Sequence, residues 1–454
     1  MKHYFESILL VTFLVLTGVV DSKADALIAT VPTGLGPTAL AIDSVTNKIY
    51  IVNGQAGTVT VLDGATDSTS TIAVGSYSSP YAIAVNPVTN TIYVADVGDS
   101  SVTVIDGATN HTSTVKIGGG TSPAPIALAV NSLTNKVYVA NRCNPGANTT
   151  EIDGNSDSTT SIPSVISNNI GLNSTTNNIY VSSQVNDAIT VINGANNSTA
   201  TITLATTAGA FAINPVTNVI YAASSYSYDS LVVVINGATN TVTKYITTGL
   251  NTEPNALAIN TATNKVYVGN VGGEPSIGGN IITVIDGATN NTTAISLGIN
   301  STNYPSESYQ AIAINQVTNK IYVANQGSGV SIINGANNSV TTLNLASPFA
   351  IAVNSLTNKI YVTNWNNSEV YVINGNNTSI NSVHFKYKTS VIGFDGVLAV
   401  YSLNGRQILR VSFSKSSTKE SILHLSNKTM ATGVYKYCFL KDQKVMDYGT
   451  FFVR

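Results

Sequence analysis

One phrase occurs eight times along this chain and constrains its fold more than any other feature. Each copy reads Thr-Asn-x-(Ile/Val)-Tyr, and consecutive copies lie 39 to 55 residues apart. The copies end at Tyr50, Tyr93, Tyr138, Tyr180, Tyr221, Tyr267, Tyr322 and Tyr361. A repeat of roughly forty residues is typical of β-propellers, in which each repeat forms one four-stranded blade around a central axis.

The second copy shows how one repeat divides into strands. Short apolar runs at 81–85, 92–95 and 102–105 are separated by turn-forming residues, and the outermost strand follows as Ser113-Thr114-Val115-Lys116-Ile117. Short β-branched runs bounded by turns favour strands over helices. The inner runs are apolar throughout, which is expected of sheets covered on both faces by neighbouring blades.

A second landmark also occurs eight times. An Asp-Gly or Asn-Gly pair follows the third strand of every repeat, at 63–64, 106–107, 153–154, 193–194, 236–237, 286–287, 334–335 and 374–375. We expect the glycine of these turns, such as Gly107, to adopt a positive φ. The two counts agree and predict an all-β, eight-bladed β-propeller, because seven blades would require one copy to lie outside the ring.

The N-terminal run Leu27-Ile28-Ala29-Thr30-Val31 resembles an outermost strand. We therefore expect it to complete the last blade and close the ring, which would leave no free sheet edge. The run 380–385 is the alternative closing strand, but we assign it to the C-terminal segment, where it is expected to form a strand. The propeller is predicted to span 27–379.

Charged residues make up only 10% of the chain, and the formal net charge is -2. Soluble domains usually contain about 25% charged residues, so Asn, Thr and Ser must supply the polar surface. Nucleic acid is not expected as a partner, since no cluster of Lys and Arg could meet a phosphate backbone. Binding of single strands by stacked aromatic rings is a third possibility, and the lack of positive charge disfavours it.

The first 26 residues have the pattern of a signal peptide. A short polar start is followed by a largely apolar run from Ile8 to Val20 and by the small-x-small site 24–26. A membrane anchor is the alternative, but the run is shorter than the ~20 residues that span a bilayer. We expect a secreted protein. Cys143 and Cys438 are expected to be free thiols, although sequence alone does not settle their pairing.

The repeats resemble the YVTN family of β-propellers over residues 27–379. Residues 361–364 read Tyr-Val-Thr-Asn, and the Thr-Asn-x-Ile-Tyr and Asp-Gly-Ala-Thr phrases recur throughout. The resemblance implies an exported or cell-surface protein, because the family occurs in surface-layer and exported proteins of bacteria and archaea. It implies no single reaction.

Residues 380–454 differ in composition and are predicted to form a small antiparallel β-sandwich. A hairpin is expected to turn at Asn404-Gly405. The stretches Val-Tyr-x-Leu-x-Gly-Arg at 400–406 and Gly-Val-Tyr at 433–435 resemble the C-terminal sorting domain of type IX secretion substrates. This resemblance implies the type IX secretion machinery as a partner and delivery to the bacterial cell surface, and it leaves open whether the domain is cleaved. The alternative is an accessory sandwich that binds something else.

The chain shows no set of residues that would support catalysis or bind a metal or cofactor. The four histidines are His3, His111, His384 and His424, and none falls in the inner strands of a repeat. No nucleophile elbow, phosphate loop or dinucleotide fingerprint occurs. We expect no enzyme; the alternative is a propeller enzyme of the lyase or lactonase type, which would need a metal or an acid–base cluster on the axis.

Binding is expected on the face where the loops vary. The Thr-Asn and Gly-Ala-Thr turns share one face, whereas the opposite face carries the variable loops, the longest at 270–280 and 298–309. Aromatic rings beside acids suit a sugar or peptide. The ligand-binding candidates are Trp365, Tyr226, Tyr228, Asp229, Tyr304, Tyr309 and Glu274; Asp96 is a further acid expected on this face. Alternatively, these tyrosines pack on their own loops. We predict a monomeric binding scaffold for a surface glycan or protein.

Overall fold

The structure is a computed structural model. With side chains it describes residues 25–75, 79–118, 124–142, 148–167, 169–183, 186–224, 229–270, 281–298, 311–326 and 328–375, and of residue 310 and the strands after residue 380 it describes only the backbone. The described residues contain strands and turns but no helix, and none of them forms a helical segment that could cross a membrane.

Eight four-stranded antiparallel sheets make up the region Ala26–Asn374. Blade 8 combines the N-terminal strand β1 (Ala26–Pro32) with the last three strands of the region, given below. Blade 1 contains β2 (Pro37–Asp43), β3 (Lys48–Asn53), β4 (Thr58–Asp63) and β5 (Thr69–Ala73); blade 2 contains β6 (Pro80–Asn86), β7 (Thr91–Asp96), β8 (Ser101–Asp106) and β9 (Thr112–Lys116); blade 3 contains β10 (Pro125–Asn131), β11 (Lys136–Asn141), β12 (Asn148–Asp153) and β13 (Thr159–Pro163); and blade 4 contains β14 (Asn169–Asn173), β15 (Asn178–Ser182), β16 (Ala188–Asn193) and β17 (Thr199–Thr203).

The second half of the ring repeats the same order. Blade 5 contains β18 (Ala208–Asn214), β19 (Val219–Ser224), β20 (Leu231–Asn236) and β21 (Thr241–Thr247); blade 6 contains β22 (Pro254–Asn260), β23 (Lys265–Asn270), β24 (Ile281–Asp286) and β25 (Thr292–Ser296); blade 7 contains β26 (Gln310–Asn315), β27 (Lys320–Asn325), β28 (Gly329–Asn334) and β29 (Val340–Leu343); and blade 8 contains β30 (Pro348–Asn354), β31 (Lys359–Asn364), β32 (Glu369–Asn374) and β1. The innermost strands contact one another in ring order, and β2 meets both β6 and β30. The prediction of an all-β, eight-bladed propeller is confirmed.

The N-terminal strand completes blade 8. β1 pairs antiparallel with β32, with Ala26 opposite Asn374 and Val31 opposite Val370. Val31 is buried in a cluster that also contains Tyr361 of blade 8 and Ile49 of blade 1. The first strand of the propeller therefore joins the two ends of the ring.

The apolar side chains of each innermost strand divide between two neighbouring blades. In blade 3, Leu128 and Val130 pack on the cluster shared with blade 2, whereas Ala127 and Ala129 belong to the cluster shared with blade 4. Both faces of the strand are covered, which explains the uninterrupted apolar runs. Large residues on one face and alanines on the other let the blades approach closely near the axis.

The tyrosines that end the repeated phrase are buried between blades. Their side chains are at most 1% exposed. Tyr180 of blade 4 donates a hydrogen bond to Asn240 of blade 5 at 2.8 Å. Burial, with smaller contributions from Asp43 and from Asp106 of blade 2, raises the pKa of Tyr50 to about 12. Each tyrosine ring therefore fills the space beside the next blade and is removed from solvent.

A ring of side-chain amides joins neighbouring blades. The asparagine that ends an innermost strand donates its Nδ2 hydrogen bond to the Oδ1 of the asparagine in the next blade's first turn, which connects that blade's first and second strands. The seven bonds measure 2.5–2.9 Å and run from Asn86 to Asn135, Asn131 to Asn177, Asn173 to Asn218, Asn214 to Asn264, Asn260 to Asn319, Asn315 to Asn358 and Asn354 to Asn47. Between blades 1 and 2 the direction of this hydrogen bond is reversed. The Asn90 amide accepts from the Ala108 N–H and donates to the Asp43 carboxylate at 3.2 Å.

The same strand-ending residues also shape their own turns. Oδ1 of Asn131, for example, accepts hydrogen bonds from the backbone N–H groups of Leu133 and Thr134. The last residue of each first turn, such as Asn135, has a φ between 52° and 56°, a conformation that asparagine tolerates better than most residues. One asparagine therefore caps its own turn and binds the next blade.

The glycines of the third turn, which connects the third and fourth strands, do not have the predicted positive φ. Gly107 lies outside the left-handed region, and the prediction for it was wrong. Its N–H donates to the Asn90 carbonyl at 2.8 Å. A Cβ at Gly107 would lie 2.8 Å from that carbonyl oxygen, so glycine is required here by the close approach of two backbones.

The strands described between residues 384 and 453 form two further antiparallel sheets. β33 (His384–Tyr387) pairs with β36 (Ser421–His424), and the order in the second sheet is β35 (Gln407–Phe413), β34 (Gly396–Ser402), β37 (Gly433–Lys441) and β38 (Lys444–Val453). β34 and β35 pair as the predicted hairpin requires, and its turn at 403–406 lies outside the described residues. Residues 376–380, at the predicted domain boundary, also lie outside the described residues.

Closure by β1 can be tested with two substitutions in the same strand. We expect Val31→Ala to lower the free energy of unfolding by about 2 kcal/mol, because a buried aliphatic side chain is truncated. Ile28, on the same strand, is 48% exposed, and Ile28→Ala should change stability by less than about 0.5 kcal/mol. Deletion of residues 26–32 should lower the melting temperature far more than either substitution. If calorimetry showed that Val31→Ala and Ile28→Ala lower the stability equally, closure of the ring by β1 would be contradicted.

Candidate functional site

The two faces of the ring carry different kinds of connection. The turn face holds the first turn of every blade and the third turn of blades 1 to 7, such as 44–47 and 64–67 in blade 1. The loop face holds the loops between second and third strands and the links between blades, such as 54–57 and 33–36. The two predicted ligand-binding residues that the structure describes, Trp365 and Asp229, belong to connections of the loop face.

Five of those seven residues lie outside the described residues. They are Tyr226, Tyr228, Glu274, Tyr304 and Tyr309, and the long loops 271–280 and 299–309 lie outside them too. Trp365 and Asp229 are described. Trp365 belongs to blade 8 and Asp229 to blade 5. They share a face but stand three blades apart, so these two do not form one site.

Trp365 lies in the loop that joins β31 to β32, next to the ring closure. Its side chain is 39% exposed, an unusual state for the chain's single tryptophan. The loop around it is held by hydrogen bonds: Asn364 donates to Glu369 at 2.8 Å, and Asn366 donates to Ser347 at 2.7 Å. A large apolar ring is therefore presented to solvent from a fixed turn, beside a carboxylate and amides.

Leu35 extends this surface and was not predicted. It is 61% exposed and lies on the link 33–36, whose Thr33 N–H donates to the Ser368 carbonyl in the Trp365 loop at 2.9 Å. Gly36 has a φ of 65°, and a Cβ there would meet the side chain of Gln55 at 2.8 Å. The sequence signal was present, because Leu35 is an apolar residue between two glycines in a connection that should be polar. We call Trp365, Leu35 and Glu369 the seam surface.

Asp229 is part of a hydroxyl cluster on blade 5. Its Oδ2 accepts hydrogen bonds from Thr206 and, at 2.7 Å, from Ser224. The backbone N–H of Glu253 donates to the Asp229 carbonyl at 3.0 Å. The side chain is half-buried. One carboxylate oxygen is thus occupied by protein hydroxyls, which fixes the carboxylate and leaves less of it for a ligand.

Asp96 is not a surface acid, and the expectation that it could serve a ligand was wrong. It ends β7 with no solvent exposure. Its Oδ2 accepts a hydrogen bond from Thr103 at 2.6 Å, and its Oδ1 has no partner. Burial raises the pKa of Asp96 to about 7. The apolar interior therefore favours the neutral acid.

Equivalent positions in other blades show what the neutral acid provides. In blade 6, Asn270 donates to the Thr283 hydroxyl at 3.0 Å, and Thr283 donates to the Thr248 carbonyl at 3.0 Å. Thr103 lies 3.2 Å from the Val74 carbonyl in the same arrangement. A protonated Asp96 can donate to Thr103 as an asparagine does, and this frees the Thr103 proton for the carbonyl.

This buried acid predicts a pH-dependent stability. Between the ordinary aspartate pKa near 4 and the raised value near 7, the folded state binds a proton that the unfolded state has lost, so stability falls as pH rises through this range. Asp96→Asn should raise the free energy of unfolding at about pH 8 by up to roughly 4 kcal/mol, with a smaller gain at about pH 5. Urea unfolding at the two pH values measures the difference.

The matched control is the equivalent position of blade 1. Asn53 is fully buried and donates to Thr60 at 2.9 Å. Asn53→Asp should introduce a loss of stability that grows between the same pH values. An Asp96→Asn variant with the pH dependence of the unsubstituted protein would contradict the raised pKa.

The described residues contain no group of three or more His, Cys, Asp or Glu side chains that could hold a metal ion. His111 is exposed in a third turn of the turn face. His3, Cys143 and Glu274 lie outside the described residues, and of His384, His424 and Cys438 only the backbone is described.

Comparison with known proteins supports the architecture. No protein family matches the chain, and no curated protein does. Among solved structures, Kuenenia stuttgartiensis hydrazine synthase resembles it with a TM-score of 0.52, over 76% of this chain and 97% of that chain, at 17% sequence identity. At this identity the likeness shows the fold alone and carries no argument about activity.

Proposed function

We propose that the protein is an exported or cell-surface binding scaffold that acts without catalysis and takes its ligand on the loop face. The observation that carries the proposal is the exposed Trp365, which is held on a hydrogen-bonded turn beside Glu369. Loops on a rigid ring are where binding residues usually occur. The turn face has less polar chemistry to offer, because its asparagines bond to one another and to their own turns.

The chemistry of the seam surface suits a sugar or a peptide. The Trp365 ring offers an apolar face to the C–H groups of a pyranose or to an apolar side chain. Glu369 and Asn366 can accept from or donate to hydroxyl and amide groups. A surface glycan or a protein segment fits this combination. A nucleic acid fits it less well, since the chain carries a formal net charge of -2 and no basic cluster.

We further propose that the repeats belong to the YVTN family and that residues 380–454 form a type IX sorting domain. The Tyr-Val-Thr-Asn phrase at 361–364 and the eight repeated landmarks support the first attribution. The Gly-Val-Tyr stretch at 433–435 and the antiparallel pairing of the C-terminal strands support the second. Together they favour a secreted protein delivered to the bacterial cell surface.

Binding at the seam surface is tested by Trp365→Ala on a glycan and peptide array. We expect the affinity of any bound probe to fall at least about tenfold, because a stacked aromatic ring is lost. The matched control is Leu250→Ala, which truncates a side chain that is 76% exposed on the same face but in the link between blades 5 and 6. This control should bind as the unsubstituted protein does.

Two results would oppose the proposed site. Equal affinity of Trp365→Ala and the unsubstituted protein for every bound probe would remove Trp365 from it. A loss that occurs equally in Leu250→Ala would indicate a general effect on the fold. The melting temperatures of both variants should stay within a few degrees of the original, since neither residue is buried.

The sorting role predicts where a truncated protein accumulates. Deletion of residues 380–454 should leave the propeller folded and trap it in the periplasm of a type IX-secreting bacterium, because the signal for outer-membrane passage is gone. Cell fractionation with protease shaving of intact cells measures this. Normal surface delivery of the truncated protein would refute the sorting role.

A further inference from the structure

The turn face carries a ring of exposed aliphatic side chains. The second residue of the first turn is Val or Leu in six of the eight blades. These side chains are 50–80% exposed: Val45 73%, Val88 72%, Leu133 80%, Val216 76%, Val317 50% and Leu356 75%. We call these six residues the apolar ring. Scattered exposed aliphatics are ordinary, but here the same position is apolar and exposed in six blades around one face.

Neighbouring first turns are bonded to each other, so the ring is a connected surface. The amide ring joins the base of each turn to the preceding blade. Direct contacts add to it, since Thr175 donates to the Pro215 carbonyl at 2.9 Å and Thr261 to Gln316 at 2.7 Å. Most of the asparagine amides at these turns are therefore used within the molecule, and the aliphatic side chains are presented outward.

The turn itself does not require an aliphatic residue at this position. Blade 4 has Thr175 there and blade 6 has Ala262, and both are exposed. Both blades form the same turn, with Asn177 at a φ of 56° and Asn264 at 53°. The six Val and Leu side chains thus contribute little to folding, and burying them requires contact with another molecule.

We propose that the turn face binds a second copy of this chain, with the two apolar rings face to face. The six side chains carry on the order of 500 Å² of exposed apolar surface. A stable dimer needs about 800 Å² on each partner. Exposed alanines of the third turns, including Ala65 and Ala108, and the Thr and Ser residues beside the ring supply the remainder.

The symmetry and the charges of this face fit a copy of itself. A ring of repeated turns is self-complementary about a two-fold axis perpendicular to the propeller axis. Acidic residues are concentrated in the third turns of blades 1 and 3, at Asp63, Asp67, Asp153 and Asp157, where blades 5 and 7 have asparagine. A stack that sets blades 1 and 3 of one copy over blades 7 and 5 of the other places these four acids opposite amides. The same stack sets blade 2 over blade 6, so Asp106 and Asp286 are the acids that face each other in it, and added salt should strengthen the dimer.

A lipid surface fits this face less well. Hydrogen bonds from turn N–H groups hold the pKa of Asp63, Asp106 and Asp153 below the usual range, so these carboxylates are ionised around the ring. Ionised carboxylates oppose approach to an anionic bilayer. The sequence alone suggested a monomer, because it does not show that the repeated Val and Leu side chains point outward together.

The test is the mass of the full chain in solution. Sedimentation velocity between about 1 and 100 µM should show a dimer that dissociates on dilution. The double variant Leu133→Asp/Leu356→Asp should be monomeric at every concentration, because it would bury unpaired charge. Leu250→Asp is the matched control, since Leu250 is 76% exposed on the loop face and its variant should remain dimeric.

A milder pair covers the case in which the aspartates disturb folding. Leu133→Thr/Leu356→Thr introduces the residue that blade 4 already has at this position, and it should weaken the dimer by at least about tenfold with an unchanged melting temperature. A wild-type monomer at the highest concentration would overturn the proposal. A dimer that persists in both the aspartate and the threonine double variants would also overturn it. A third contrary result would be a monomer that binds phosphatidylcholine vesicles and loses this binding in the two double variants. None of these outcomes depends on ligand binding at the seam surface.

Discussion

The side chain that ends each innermost strand connects its blade to the next, and the propeller depends on this contact. An asparagine amide donates with Nδ2 and accepts with Oδ1 at the same time. Asn131 uses both, binding Asn177 of blade 4 and the N–H groups of its own turn. An ionised aspartate could only accept, and where Asp43 occupies this position the partner asparagine supplies the proton instead. Each such bond contributes about 1 kcal/mol, and the eight together link every pair of neighbouring blades.

Much of the fold could be predicted because the repeat is local and regular. The Thr-Asn-x-Ile-Tyr phrase indicates a turn and a strand, and its eightfold recurrence indicates the number of blades. The inter-blade bonds could not be predicted in this way. Asn86 and Asn135 are 49 residues apart, and Asn354 and Asn47 are 307 apart. A pattern read along one repeat shows that an asparagine caps its turn but not which asparagine it binds in the next blade.

The functional surface was harder to predict, for physical reasons that differ between residues. Asp96 has the sequence context of a loop acid, yet it occupies a position where other blades bury asparagine, and burial changes its protonation. Gly107 is required by a backbone contact with another turn, which no local rule describes. Trp365 was identified because it is the chain's only tryptophan. Leu35 was missed because its flanking glycines do not show that this link contacts the Trp365 loop.

The pairing of β1 with β32 has a consequence for the order in which the molecule assembles. The first propeller strand to emerge from the ribosome cannot pair until residues 369–374, at the other end of the array, have been made. Until then, Ile49, Ile51 and Leu62 of blade 1 lack the cover of blade 8. The entropic cost of closing so long a loop grows only slowly with length, but the search is slow because the contact is distant in sequence. Burial of these residues therefore requires all eight blades. An unfinished chain exposes an apolar face of blade 1 that the complete protein buries.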